Sequence, residues 1–373
     1  MSARPLKLGI AGIGRAFSFM IPTFRDDPRV EIVAGFDPRP EARARFAQDF
    51  GATAFESMEA LCASDVDAIY IASPHQFHAP QVAIAAAHGK HVLVEKPMAL
   101  SLADCQTMIA ATRKAGVHLI VGHSHSFDAP IAKIAELVRS GAYGTLRMIT
   151  ALNFTDFLFR PRRPEELDTE QGGGVIYNQA PHQVEMIRLI AGGRVKSVRA
   201  MTGVWDRSRP TEGAYNAFLN FENGVSATMT YSGHAHFDSD ELIDWTNELG
   251  LKKDPKNYGS ARKSILASGD LARETELKNA RNYGGSAYTD LSEAADRQHQ
   301  TCRTGRPVAM STIRISSRRG QYTWVPASRP RPQVAASGSP RPSRQATRPV
   351  SMSRPHRKSP ATTSRPCAAP TSC

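Results

Sequence analysis

The sequence predicts an α/β protein: a parallel sheet wound on both faces by helices, followed by an α+β domain with a mainly antiparallel open sheet. Three observations carry that prediction. Short apolar runs alternate with helical stretches through the first 125 residues. A glycine-rich turn follows the first of those runs. Beyond residue 125 the alternating segments lengthen and a hairpin signal appears. Strand–helix alternation implies right-handed crossovers and a parallel sheet.

Strands are expected over 6–11, 30–36, 52–55, 68–72, 91–94 and 118–122, and helices over 16–25, 40–50, 57–63, 79–88 and 101–115. The last helix opens Ser101-Leu-Ala-Asp104, a capping-box pattern. Residues 1–125 thus read as a Rossmann-type, doubly wound dinucleotide-binding domain. A helix near 129–140 and strands over 145–155, 195–206, 214–221 and 225–232 follow. Asn223-Gly224 between the last two is a hairpin turn. Residues 126–310 read as the α+β domain. Within it, 240–290 are polar and weakly periodic, and Asp290–Arg303 is helix-like.

Gly9, Gly12 and Gly14 follow a G-x-x-G-x-G spacing, which suits a tight turn and close approach of backbone N–H groups to a pyrophosphate. Phe17 stands where the usual third glycine of that motif would be. The second apolar run ends in Asp37, 23 residues after Gly14, the place of a ribose 2′-hydroxyl acceptor. Its charge favours NAD over NADP. Arg39 is near enough to blur that preference, so NADP stays open. A fifth run ends in Glu95-Lys96-Pro97. A lysine there falls at the carboxyl edge of the sheet, where open α/β sheets bind ligands.

The net charge of +12 suggests nucleic acid, but its distribution does not. Residues 311–373 hold 11 Arg, one Lys and no Asp or Glu; removing those 12 from the 47 basic residues leaves 35 against 35 acidic ones. The body is neutral, and no nucleic-acid partner is expected for it. The 311–373 tail is rich in Arg, Pro and Ser and too poor in apolar residues to offset its ordering entropy. It reads as disordered and as the product of a shifted reading frame, with a basic arm that binds nucleic acid as the alternative. No run of 18 apolar residues exists, so no membrane partner is expected. The first strand begins within six residues, leaving no room for a signal peptide. Five scattered cysteines (Cys62, Cys105, Cys302, Cys367, Cys373) without a CxxC spacing fit a reducing cytoplasm. No metal site is expected, since neither H-E-x-x-H nor a Cys/His cluster is present.

These motifs together resemble the Gfo/Idh/MocA oxidoreductases over residues 5–310. The residues are the glycine loop, Ile69-Tyr-Ile-Ala-Ser-Pro-His-Gln-Phe-His78, Glu95-Lys96-Pro97, Val121-Gly-His123 and Gly172-Gly-Gly-Val-Ile-Tyr-Asn178-Gln-Ala-Pro-His182. Within that family the sequence looks most like the phthalate 4,5-cis-dihydrodiol dehydrogenases. The resemblance implies a second-domain sheet that faces the nicotinamide and mediates assembly into a dimer or tetramer. It places Ser73, Pro74, His78, Glu95, Lys96 and Pro97 at the cofactor edge and points Lys96 at the substrate oxygen. Asn178 replaces the aspartate the family has four residues before the histidine.

Catalytic roles fall to Lys96 and His182. An imidazole can take an alcohol proton near neutral pH, and a lysine cation would stabilise a developing alkoxide. Asn178 and His182, four apart, would share a helical face and contact substrate. His123 is expected to line the pocket. Arg160, Arg162 and Arg163 offer paired donors for substrate carboxylate. The expected activity is NAD(P)-dependent oxidation at CH–OH or CH–CH groups of a small molecule, a cis-dihydrodiol of an aromatic acid such as phthalate. A sugar or inositol-like polyol dehydrogenase and a non-catalytic NAD-binding sensor are the alternatives.

Overall fold

The structure is a computed structural model, and it describes residues 4–247, 252–268, 270–288, 312–317 and 320–324. The first domain alternates strand and helix in order: β1 (Leu6–Ala11), α1 (Arg15–Asp26), β2 (Val30–Phe36), α2 (Pro40–Phe50), β3 (Thr53–Phe55), α3 (Met58–Ala63), β4 (Ala68–Ile71), α4 (His78–Ala87), β5 (His91–Glu95), α5 (Leu102–Ala115) and β6 (Leu119–Gly122). The six strands are parallel and ordered β3-β2-β1-β4-β5-β6. The apolar run is unbroken in β4 because both faces of this strand are buried, and β1 is buried from Leu8 to Ala11. Helix ends follow local chemistry. The Ser101 hydroxyl accepts from Asp104 N at 3.0 Å to start α5, and Gly116 in the left-handed conformation ends it. The strand order diverges between β1 and β4, which fixes the ligand crevice at their carboxyl ends.

The second domain adds α6 (Ala129–Arg139), β7 (Leu146–Phe154), α7 (Gly174–Asn178), α8 (Ala180–Ala191), β8 (Val195–Gly203), β9 (Ala214–Phe221), β10 (Ser226–Ser232), α9 (Ser260–Ser268), α10 (Leu271–Arg281), β11 (Thr312–Ser317) and β12 (Gly320–Trp324). Its sheet runs β12-β11-β7-β10-β9-β8, antiparallel except for the β7–β10 pair. Strand β9 alternates buried and exposed positions, as a sheet with one packed face should. Its inward residues join Ile134, Met186, Ile187 and Ile190 of α6 and α8 in one apolar core. The other face leaves Met148 and Phe218 exposed.

Strands β11 and β12 fall inside the 311–373 stretch assigned to the tail, so the second sheet extends past the expected boundary at 310. Ile313 pairs with Ala151 and Ile315 with Ile149. The period-2 pattern Thr-Ile-Arg-Ile-Ser was there to read, but the arginine and serine content of the stretch outweighed it. The remainder of the tail from 325, and the helix-like Asp290–Arg303, lie outside the described residues.

The polar 240–288 stretch, unplaced from sequence, carries the chain back to the first domain. After α10, Tyr283 is buried to 1% exposure against Phe17, Phe46 and Tyr70 in the first-domain core. Its ring meets Phe17 edge-on at 5.6 Å, and its hydroxyl donates to Asp49 at 2.6 Å. Phe17 fills the place of the motif's third glycine with a ring that this return segment covers. Tyr283→Ala should therefore destabilise the first domain by about 3 kcal/mol, and Tyr283→Phe by about 1 kcal/mol, in urea unfolding. A wild-type midpoint in the alanine variant would show that the return segment contributes nothing to the first domain.

Candidate active site

The cofactor edge is built from the turn between β1 and α1. Gly12 has φ +92°, and a Cβ there would come 2.6 Å from Ser73 N, so only glycine lets β1 and β4 meet at their carboxyl ends. A Cβ on Gly14, the N-cap of α1, would meet nothing within 4 Å. That helix start has no side-chain cap, so the open turn and its backbone N–H groups suit a pyrophosphate. Gly9 does not belong to this turn. It sits inside β1, where a Cβ would come 2.9 Å from Ile69 Cδ1. Its smallness serves strand packing, so the G-x-x-G-x-G spacing overcounted the loop by one.

Asp37 is buried at the end of β2, with 4% exposure. One carboxylate oxygen accepts from Ile13 N at 2.8 Å; the other accepts from Arg39 N at 3.0 Å and Arg39 Nε at 2.9 Å. Arg39 Nη2 donates to Ile13 O at 2.7 Å. The pair therefore clamps the glycine turn onto β2. Arg39 already occupies much of the acceptor capacity that a ribose hydroxyl would need.

On the β4 side, Ser73 and Pro74 form the loop over Gly12, and His78 ties it down. His78 is fully buried, with Nε2 3.0 Å from Ser73 O and Nδ1 2.9 Å from Pro97 O. It braces the two loops against each other. His75 Nδ1 lies 3.2 Å from Gly172 O, and burial chiefly, with Lys96 and His78 adding, pulls its pKa down to about 3. A neutral His75 therefore meets the second domain's glycine turn.

Glu95 and Lys96 point different ways from the end of β5. Glu95 accepts from the hydroxyl of fully buried Tyr70 at 2.6 Å and from Lys96 N at 3.3 Å. Burial first, then Glu95, drives the Tyr70 pKa well above 10, so the phenol stays a donor. Lys96 Nζ crosses to the second domain and donates to Asn178 O at 2.9 Å. The Lys96–Pro97 bond is cis.

Asn178 and His182 are not on one helix. Helix α7 stops at Asn178, Gln179 breaks the geometry with φ −117°, and α8 starts at Ala180. Pro181 in the first turn of α8, lacking an N–H, favours a new helix start there. The Asn178 amide donates to Gly174 O at 2.7 Å and Gly172 O at 3.2 Å. It is a strut for its own turn, which leaves only its Oδ1 for a ligand. Glu212, which no motif marked, holds the other side by accepting from Ile176 N at 3.1 Å and from the Thr169 and Thr211 hydroxyls.

His182 lies beside His125, with ring centroids 3.9 Å apart. Its Nδ1 is buried without a hydrogen-bond partner. Burial first, then the charges of Lys96, His125 and His123, hold its pKa well below 6.5. His123 Nδ1 is likewise buried and unpartnered, and burial lowers that ring's pKa too. The site therefore gathers Lys96, the Asn178 backbone and histidines 123, 125 and 182. Among the described residues, no group of three or more His, Cys, Asp or Glu side chains is placed to hold a metal ion.

Known proteins share both halves of this fold. Residues 6–123 match the oxidoreductase family with an NAD-binding Rossmann fold, and residues 131–247 match the GFO/IDH/MocA C-terminal domain. A Comamonas testosteroni 1-carboxy-3-chloro-3,4-dihydroxycyclohexa-1,5-diene dehydrogenase is 49% identical over 298 residues, covering 79% of this chain and 75% of that protein. The chain belongs to the Gfo/Idh/MocA family. It is an NAD-binding oxidoreductase. A solved Bordetella bronchiseptica RB50 structure, 42% identical, superposes with a TM-score of 0.77 and covers 86% of this chain and 81% of its own. The Bordetella pertussis WlbA dehydrogenase, solved with NADH and UDP-GlcNAcA, is 27% identical with a TM-score of 0.59 over 64% of this chain and 72% of its own.

Of the three arginines expected to read carboxylate, two are committed inside this family member. Arg162 is buried, its guanidinium 3.8 Å above the Phe157 ring, and Nη2 donates to Phe157 O at 2.5 Å. Burial lowers its pKa to about 10, against the pull of Glu166. Arg163 pairs with Glu165 at 3.3 Å and Glu166 at 3.6 Å, and Glu166 also pairs with Lys278. Arg160 bonds Asp156 at 2.8 Å but keeps 43% of its side chain exposed. The sequence reading counted cations without their partners Asp156, Glu165 and Glu166, all within four residues of them.

The Asn178 strut yields a prediction. Asn178→Asp would place there the carboxylate that the family resemblance implies, but it cannot donate to Gly172 O and Gly174 O. It should destabilise the protein by about 1–3 kcal/mol and lower turnover. Thermal unfolding checks the first and steady-state rates the second. A stable, faster Asn178→Asp enzyme would mean that the turn does not need the amide.

Proposed function

We propose that the chain oxidises a cis-dihydrodiol of an aromatic acid with NAD as the oxidant. The observation that carries this reading is the 49% identity to a relative named for a carboxylated dihydroxycyclohexadiene, over three quarters of each chain. The position of Lys96 and His182 across one cleft edge supports it chemically.

Gly12, Gly14 and the start of α1 would hold the pyrophosphate of NAD, with Asp37 and Arg39 beside the ribose. NAD, when bound, supplies the hydride acceptor. Lys96 holds the substrate hydroxyl oxygen and stabilises negative charge on it. His182, kept neutral by burial, takes the hydroxyl proton. The carbinol carbon, losing its hydrogen with the bonding pair, becomes a ketone that tautomerises to the catechol. Aromatisation draws the reaction forward. Phthalate dihydrodiol is one such substrate, and Arg160, paired with Asp156 but 43% exposed, is the arginine of the three nearest solvent to meet its carboxylate. Self-association through the exposed face of the second sheet, which carries Met148 and Phe218, accords with this reading.

A sugar or polyol substrate is the second reading, carried by the nucleotide sugar bound to the Bordetella pertussis relative. A substrate panel followed by NADH absorbance separates the two. Turnover on carboxylated dihydrodiols and none on inositol or sugars supports the first, and the reverse refutes it.

Lys96→Ala and His182→Ala should each lower kcat by roughly 10²–10⁴-fold while NAD binding changes little. Near-wild-type rates in both would remove them from the mechanism. Arg160→Ala should raise KM for a dicarboxylate diol and leave an uncharged diol unaffected. Equal effects on the two would make Arg160 a loop residue only.

A further inference from the structure

His182 has a neighbour that the reaction described so far does not use. His125 lies in the turn Ser124–Phe127, directly after β6, and this turn packs against α8, the helix that carries His182. His125 Nδ1 is 3.0 Å from Asp128 Oδ2, and the two side chains are 22% and 17% exposed. A carboxylate can only accept, so Asp128 fixes the proton on Nδ1 and leaves Nε2 of His125 as the lone-pair nitrogen. The His125 and His182 rings meet at 3.9 Å and 62°, edge against face. On its buried side His182 has no hydrogen bond to set its ring plane, because Nδ1 lacks a partner. The anchored His125 ring supplies a constraint at that side.

We propose that His125, fixed by Asp128, is a positioning residue for His182 that holds the ring plane and keeps the imidazole neutral for proton transfer. This rests on the reading of His182 as the proton acceptor. Packing supplies the first half, since an edge-to-face pair resists rotation of either ring. Charge supplies the second. Lys96 from the β5 end, and His123 and His125 from the β6 end, all face His182 with positive or potentially positive charge. Glu185 and Arg188 of α8 act on His123 with opposite signs. A positive charge on the neighbouring ring, 3.9 Å away, opposes protonation of His182.

His125→Phe keeps a flat ring but removes the charge. Its kcat should fall roughly 10-fold or more, with NAD affinity within about twofold of wild type. The acid limb of the kcat/KM profile should move up by about 0.5–1 pH unit, because one cation no longer opposes protonation of His182. An NMR titration of the His182 ring should show the same upward shift without relying on turnover. Asp128→Ala should lower kcat, and Asp128→Asn, whose Oδ1 still accepts from His125 Nδ1, should recover most of it. A lowered kcat with an unmoved acid limb and an unmoved His182 titration would overturn the proposal and leave His125 as packing. Equal loss in Asp128→Ala and Asp128→Asn would also overturn it. Wild-type turnover in His182→Ala would instead refute the proton-acceptor reading, and the NMR shift in His125→Phe would still report whether the two rings are coupled. Should His125→Phe not fold, the Asp128 pair and the same titration decide the matter.

Discussion

The ammonium of Lys96 reaches the carbonyl of Asn178, 2.9 Å away in the other domain, because three consecutive glycines let the chain turn tightly there. A Cβ at Gly174, where φ is +73°, would lie 2.3 Å from Glu212 Oε1, and one at Gly173 would lie 2.6 Å from Glu166 O. Backbone and carboxylates occupy the space a side chain would need, so the turn can sit flush on the first domain. Asn178 closes it from within and Glu212 from outside. The lysine meets a carbonyl dipole there, and a carbonyl orients an ammonium without neutralising it.

Charge around this contact is arranged so that one cation is permanent and the imidazoles are not. His75, His123 and His182 all have lowered pKa values, with burial the largest cause in each. Near neutral pH they are uncharged, which is the state a proton acceptor needs. Acidification would charge them beside Lys96 at a desolvation cost, so proton uptake at rest is opposed until well below the ordinary imidazole range. In the proposed reaction, charge developing on the substrate oxygen would offset Lys96 and make protonation of His182 less costly.

Much of the first domain was legible from sequence because its signals are local. Unbroken apolar runs, a capping serine and glycines at helix ends each state their structure within a few residues. What was not legible depended on the company each residue keeps, near or far in sequence. Gly9 matched a loop spacing, yet Ile69, Leu61 and Val66 make it a packing glycine. Arg162 and Arg163 resembled a carboxylate clamp until Glu166 and Lys278 were placed beside them. Asn178 and His182 had helical spacing, but the proline between them starts a second helix. The His125–Asp128 pair, likewise of local i,i+3 spacing, passed unread because nothing in the sequence places α8 against that turn.

The two domains touch at more than one place, and the contacts differ in kind. Lys96 with Asn178 O and His75 with Gly172 O are polar contacts at the cleft edge. Tyr283, returning after α10, is a large apolar anchor in the first-domain core with a single hydroxyl bond to Asp49. Apolar burial of that size outweighs two part-buried hydrogen bonds in holding the domains together. The cleft contacts are thereby relieved of that structural task. In the proposed reaction a substrate oxygen would take the place of the Asn178 carbonyl at the lysine, and the cleft contacts could rearrange without the second domain coming loose from the first.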